Sequence, residues 1–167
     1  MRRLLDAFYT ASLALGGSFL VLLGGLVLSQ IVGRWFGLIV PGADEFAGFC
    51  MAATFFLALP HTLMVGGHIR VELVLDRLGE PWRRSLEIWG SLAATGIAGY
   101  FAWYAIELAW FSFSFGDMSF GLLPIPLWIP QSALAFGVVG LTIAGIDSLT
   151  RALHGKPNVT AEHRPSE

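Results

Sequence analysis

The chain has 167 residues, of which 55% are hydrophobic and only 13% are charged, and its mean hydropathy is +0.68. Because about 25% of the residues in an ordinary soluble domain are charged, this composition excludes a typical water-soluble globule. The formal net charge of −2 gives no indication that the chain binds nucleic acid. Its single cysteine, Cys50, cannot form an internal disulfide and lies inside an apolar stretch.

Four long stretches of the chain contain no Asp, Glu, Lys or Arg. These stretches are residues 7–33, 46–69, 88–106 and 118–146. Each is long enough to form a helix across a hydrocarbon core of about 30 Å, and the first is too long for a secretory signal. The sequence therefore predicts an all-α membrane protein with four transmembrane helices. The predicted spans are about 7–33, 46–67, 83–110 and 130–150.

These spans and their connections occupy residues 1–153 as a single membrane domain. They leave no room for a nucleotide-binding fold or a separate catalytic domain. The polar residues 154–167 contain two prolines and are predicted to form a flexible cytoplasmic tail.

The basic residues are distributed unevenly between the connections. Nine of the ten Lys and Arg residues lie before span one, between spans two and three, or after span four. An even number of spans places these three segments on one side of the membrane, and the positive-inside rule assigns that side to the cytoplasm. The sequence thus predicts an N-in, C-in topology.

The connection between spans two and three has an amphipathic pattern. Its apolar residues Val71, Val74, Leu75 and Leu78 recur at three- and four-residue steps, while charged residues take the opposite face. This pattern predicts a short helix at about 69–78 in the plane of the cytoplasmic headgroups. The alternative is a solvated charged loop that happens to alternate.

Three prolines lie close together before the last span. Pro124, Pro126 and Pro130 cannot all occupy the interior of a regular helix. We therefore predict that span four begins at Pro130 and that residues 116–129 form an irregular connection on the outer side of the membrane.

His61 is the only ionisable side chain predicted to lie well inside a span. Ionisable groups at such depth are costly and are usually kept for function, so a haem ligand or a proton relay is one interpretation. The other, which we favour, is a structural hydrogen bond to a backbone carbonyl that the preceding Pro60 frees, or to a neighbouring helix. The sequence offers no metal-ligand cluster and no nucleophile with its base. It therefore predicts no enzymatic activity, bound metal or cofactor.

An acidic pair, Asp44 and Glu45, opens span two on its outer side. Two adjacent carboxylates are a candidate cation site. They are also typical of a helix N-terminal cap, where negative charge interacts favourably with the helix dipole, and this is the interpretation we favour. Glu107 and Asp117 are predicted to lie at the interface, unless span three continues beyond Glu107.

Small residues recur at four-residue steps within the predicted spans. The longest series, in span three, is Gly90, Ala94, Ala98 and Ala102. Shorter series are Gly25, Ser29 and Gly33 in span one, and Ala133 and Gly137 in span four. Such series let helix backbones approach closely in lipid, either within the bundle or against a partner. With so few charges at depth, they favour an accessory subunit over a carrier.

Three short motifs and a glycine follow one another in order along the four predicted spans. They are Gly42-Ala43-Asp44-Glu45-Phe46, then Gly67-His68-Ile69-Arg70-Val71-Glu72, then Ile125-Pro126-Leu127-Trp128-Ile129-Pro130, and finally Gly137. Their order and spacing resemble the small membrane subunit of tripartite ATP-independent periplasmic (TRAP) transporters, over essentially all of residues 1–153. The resemblance implies family-motif or structural roles for Asp44, Glu45, His68, Arg70, Pro126, Trp128, Pro130 and Gly137.

The resemblance also implies a division of labour between several chains. A large permease subunit would carry the substrate and sodium sites, and a periplasmic binding protein would deliver an organic acid. This chain would be a multi-pass scaffold of the bacterial inner membrane, in contact with lipids and the large subunit. Because its outer face is poor in basic residues, a direct contact with the binding protein stays open.

Two alternatives to this accessory role remain. One is a haem-binding, cytochrome-b-like membrane anchor of a respiratory enzyme. The other is a small homodimeric exporter, which is disfavoured because span one lacks an acidic residue.

Overall fold

Four helices dominate the part of the chain that the computed structural model describes, which is residues 2–39, 41–65 and 80–153. They are α1 (Arg2–Trp35), α2 (Ala43–Met64), α3 (Glu80–Phe115) and α4 (Trp128–Leu153), and these described ranges contain no strand. Each helix is long and apolar enough to cross a membrane. The predicted fold class, an all-α protein with four transmembrane helices, is confirmed. The predicted in-plane helix at 69–78 and the tail at 154–167 lie outside the described residues.

Glycines in the left-handed conformation end both α1 and α3. Gly37 has a φ of 69° and Gly116 a φ of 67°, values that residues with a Cβ atom rarely adopt. After α1, the amide of Leu38 donates to the carbonyl of Gly33, and the amide of Gly37 donates to that of Arg34. The same pair of hydrogen bonds closes α3. Both ends are Schellman motifs, which supply partners for the last carbonyls of a helix.

The helices form an open row in the order α1, α2, α4, α3. Extensive contacts join α1 to α2, α2 to α4, and α4 to α3. Helices α1 and α2 are antiparallel, because Ser12 near the start of α1 donates to the carbonyl of Leu57, while Gln30 near its end donates to Asp44. Since successive spans alternate in direction, α2 and α4 are parallel neighbours at the centre of the row.

Helix α4 approaches both of its neighbours through glycines. A Cβ atom at Gly137 would overlap the carbonyl group of Phe56 in α2, and a Cβ atom at Gly140 would lie 2.8 Å from the Cγ atom of Pro60, also in α2. On the other side, a Cβ atom at Gly145 would lie 2.7 Å from Oγ1 of Thr95 in α3. Because close-packed interiors have no space for such an added atom, these glycines allow α4 to sit between α2 and α3.

The two flanking helices, α1 and α3, each contact the central helices through one narrow face. The less exposed positions of α3 include Ile88, Ser91, Thr95, Ala98, Ala102, Ala105, Ala109 and Ser112. Those of α1 include Tyr9, Ser12, Gly16, Phe19, Leu23, Leu26, Gln30 and Gly33. Both sets follow the three- and four-residue steps of one helix face. The remaining faces of α1 and α3 are largely apolar and exposed.

Candidate functional site

The outer end of the row is the end at which α1 finishes and α2 begins. The loop between α3 and α4 covers this outer end. The amide of Ser119 donates to the carbonyl of Ile125 at 2.8 Å, and the amide of Leu127 donates to the carbonyl of Asp117 at 2.9 Å. The buried Ser119 hydroxyl also accepts a hydrogen bond from the Ile125 amide at 3.2 Å. The predicted irregular connection is thus ordered by its own hydrogen bonds.

Pro126, Trp128 and Pro130 lie where this outer loop becomes α4. Pro126 pairs with Met118 in an isolated antiparallel bridge. Helix α4 begins at Trp128 rather than at the predicted Pro130, which lies within the first turn. Proline is tolerated there because amides of the first turn have no acceptor inside the helix. The Trp128 ring packs edge-on against Phe113 of α3, with 5.7 Å between ring centroids.

Asp44 and Glu45 lie in the first turn of α2. The N-cap position itself is taken by Gly42, and no side chain caps the helix. The prediction that the acidic pair caps the helix is therefore wrong. First-turn carboxylates still interact favourably with the helix dipole. Asp44 accepts a hydrogen bond from Nε2 of Gln30 in α1 at 2.7 Å.

Glu45 connects α2 to the outer loop. Its carboxyl group occupies the space where a Cβ atom of Gly121 would be. Its Oε2 atom is buried and has no hydrogen-bond partner among the described residues. Asp44 and Glu45 together therefore link α1, α2 and the outer loop at one point.

The small-residue series of α3 is divided between two faces. Ala98 and Ala102 are buried, whereas Gly90 and Ala94 are exposed, and a Cβ atom at Gly90 would meet no atom within 4 Å. Residues four apart are rotated by about 40° around a helix of 3.6 residues per turn. A series with a strict step of four therefore leaves the packed face after two or three steps.

Several close approaches were not singled out by the sequence patterns. Gly16 of α1 lies against α2, where an added Cβ atom would be 3.2 Å from the carbonyl oxygen of Thr54. The sequence patterns also did not predict the close contacts of Gly140 and Gly145 in α4. The sequence does contain one signal for Gly16, because it lies four residues after Ser12, a polar residue that is buried at the same contact.

Polar side chains of α1, α2 and α4 meet at the opposite, inner end of the row. They border a cleft of about 290 Å³ lined by Asp6, Tyr9, Thr10, His61, Met64, Val65 and Arg151. Arg151 forms an ion pair with Asp147, one turn earlier in α4. His61 lies in the last turn of α2 rather than well inside the helix, and it borders this cleft. The predicted hydrogen bond from its imidazole to a carbonyl is not seen among the described residues.

Ionisable groups away from the helix ends are few in the described ranges. Glu107 is one, because α3 continues beyond it to Phe115. Within these ranges, no three His, Cys, Asp or Glu side chains are grouped so that they could hold a metal ion. His68 and Arg70, two of the family-motif positions, lie outside the described residues.

The comparison with known families distinguishes between the possible kinds of membrane protein. A family model for the DctQ component of tripartite ATP-independent periplasmic transporters matches residues 23–155. The chain belongs to the DctQ family. No curated protein and no solved structure matches it.

The match places this DctQ chain among multi-pass membrane components of TRAP transporters. The matched range begins within α1 and covers α2, α3 and α4, so the resemblance to the small TRAP subunit is confirmed. DctQ is a transporter component family and not an enzyme family. Its members work with a large DctM permease and a periplasmic binding protein. A haem-binding respiratory anchor is not favoured.

Proposed function

We propose that this DctQ chain is the scaffold subunit of a sodium-coupled TRAP transporter that imports an organic acid. The large permease subunit carries the substrate and the sodium ions, and a periplasmic binding protein delivers the organic acid. The chain lies in the bacterial inner membrane with both termini in the cytoplasm, as the nine basic residues on that side favour.

The open row of helices is the observation that carries the scaffold role. Only 11% of the apolar part of α1 is buried within the chain, and α2 and α3 bury 17% each, against 33% for α4. Both flanks therefore offer long apolar surfaces to a second membrane protein. Ionisable side chains of the described residues lie mainly near the two ends of the row, whereas a carrier needs ionisable groups along a shared path.

The free face of α1 is the surface that we assign to the large permease subunit. It exposes Gly17, Gly24 and Gly25, and a Cβ atom at any of them would meet no atom of this chain within 4 Å. Exposed small residues allow another helix to approach the backbone closely, which favours association in lipid. Lipid tails alone do not require such a surface.

Reconstitution of the separate components tests this proposal. We expect a sodium gradient to drive organic-acid uptake into proteoliposomes only when this chain, the large permease and the binding protein are all present. An ionophore that collapses the sodium gradient is the control. Uptake by this chain alone would refute the accessory role, and full uptake without this chain would refute the scaffold role.

A further inference from the structure

The inner cleft has a polar lining that the scaffold role does not use. It lies where α1 begins and where α2 and α4 end, so its walls combine residues from three helices. Its volume is about 290 Å³. This space suits a phosphate group with a short polar extension.

Two hydrogen-bond donors at the wall of the cleft have no acceptor. Tyr9 is only 3% exposed, and its hydroxyl group is buried without a hydrogen-bond partner among the described residues. The Nη1 atom of Arg151 is buried and unpartnered in the same way. A buried donor without a partner costs about 1–3 kcal/mol. Both residues line the cleft, so a small rotation of either side chain would bring its free donor to an acceptor oxygen bound there.

The described side chains around the cleft carry charges of both signs. The other guanidinium nitrogen of Arg151, Nη2, is already paired with Asp147 at 2.5 Å. Asp6 is exposed at the rim and forms no ion pair among the described residues. Asp6 and Arg151 line the same cleft, together with His61 and Thr10. An entirely anionic ligand would be repelled by Asp6.

We propose that this cleft binds the headgroup of a zwitterionic aminophospholipid. The phosphate oxygens accept hydrogen bonds from Tyr9 and Arg151, and the primary ammonium group pairs with Asp6. The cleft lies at the ends of three membrane-spanning helices, which is the level of the lipid headgroups. Because the site uses only residues of this chain, it does not depend on the proposed partners or on the transported substrate.

Lipid binding to the purified, delipidated full chain tests the site. Native mass spectrometry compares phosphatidylethanolamine, phosphatidylcholine and phosphatidylglycerol with identical acyl chains. We expect phosphatidylethanolamine to bind most tightly, since phosphatidylcholine has no N–H to donate to Asp6 and phosphatidylglycerol has no cation. Free phosphoethanolamine is a separate arm, and binding as tight as that of the lipid would assign the cleft to a soluble molecule and overturn the proposal.

Matched variants locate the binding. Tyr9→Phe removes one donor and is expected to weaken phosphatidylethanolamine binding about ten- to a hundredfold, as for a hydrogen bond to a charged group. Tyr100→Phe, on an exposed face of α3, is the control and is expected to change nothing. Equal affinities for these two variants would overturn the proposal.

A second variant keeps the test decisive if Tyr9→Phe does not fold. Asp6→Asn changes an exposed side chain and is expected to abolish the preference for phosphatidylethanolamine over phosphatidylcholine while the chain melts normally. A preference that survives Asp6→Asn would also overturn the proposal.

Discussion

Individual glycines of α4 set how closely the central helices approach. Gly137 faces the Phe56 backbone in α2, and Gly145 faces Thr95 in α3. A backbone atom cannot move aside as the end of a flexible side chain can, so the contact at Gly137 tolerates substitution least. Gly96 of α3 provides the contrast, because a Cβ atom there would meet no atom within 4 Å.

Gly137→Ala is therefore expected to destabilise the protein, whereas Gly96→Ala is not. Forcing an extra methyl group into a packed contact typically costs about 1–3 kcal/mol. Alanine in place of an exposed helical glycine is neutral or slightly stabilising. Thermal melting of both variants in detergent measures the difference. Equal melting temperatures would show that the α2 and α4 backbones separate without cost.

At the scale of the element, the contact stripe of α3 is made almost entirely of small side chains. Ser91, Thr95, Ala98, Ala102, Ala105, Ala109 and Ser112 follow steps of three and four. The strict step of four predicted from the sequence coincides with this stripe only at Ala98 and Ala102. Helix geometry explains the difference, since the packed face follows an average step near 3.6 residues.

This division of the series gives a prediction for two alanines one turn apart. Ala98→Leu is expected to lower stability by about 1–3 kcal/mol, because three carbon atoms are added at a buried position. Ala94→Leu adds the same atoms at an exposed position and is expected to leave the melting temperature unchanged. If Ala94→Leu were the more damaging variant in the isolated chain, the described packing of α3 would be wrong.

The whole molecule is a row of helices with two free flanks. The residues that stabilise the isolated chain are therefore different from those available to bind a partner. Residues between the helices affect the stability of the isolated chain. Small residues on the outer face of α1, such as Gly25, have no neighbour in the chain, so their role is expected to appear only in the complex. A variant at such a position therefore tests the partner interface without disturbing the fold.

Gly25→Leu is expected to leave the melting of the isolated chain unchanged and to reduce co-purification of the large permease about tenfold. A tenfold change corresponds to about 1.4 kcal/mol, a reasonable loss for one close helix contact in lipid. Gly96→Leu, on the opposite flank of the row, is the matched control. Undiminished co-purification of Gly25→Leu would contradict the assignment of the α1 face.

The sequence by itself determined the class of the protein and the number of its spans. Every backbone polar group in a hydrocarbon core needs a partner, and uncharged runs of about 20 residues supply it within the segment by forming a helix. The order of short motifs from Asp44 to Gly137 was sufficient for the family. These conclusions depend on local composition and on spacing along the chain, so they need no tertiary information.

Only the tertiary structure decided which residues meet. Tyr9, His61 and Arg151 are far apart in sequence and border one cleft because α1, α2 and α4 are neighbours in the row. Likewise, Glu45 fills the space beside Gly121 only because the outer loop folds back over α2. Helix order and rotation are set by the close packing of many small side chains, and a four-span hydropathy pattern is compatible with several such arrangements.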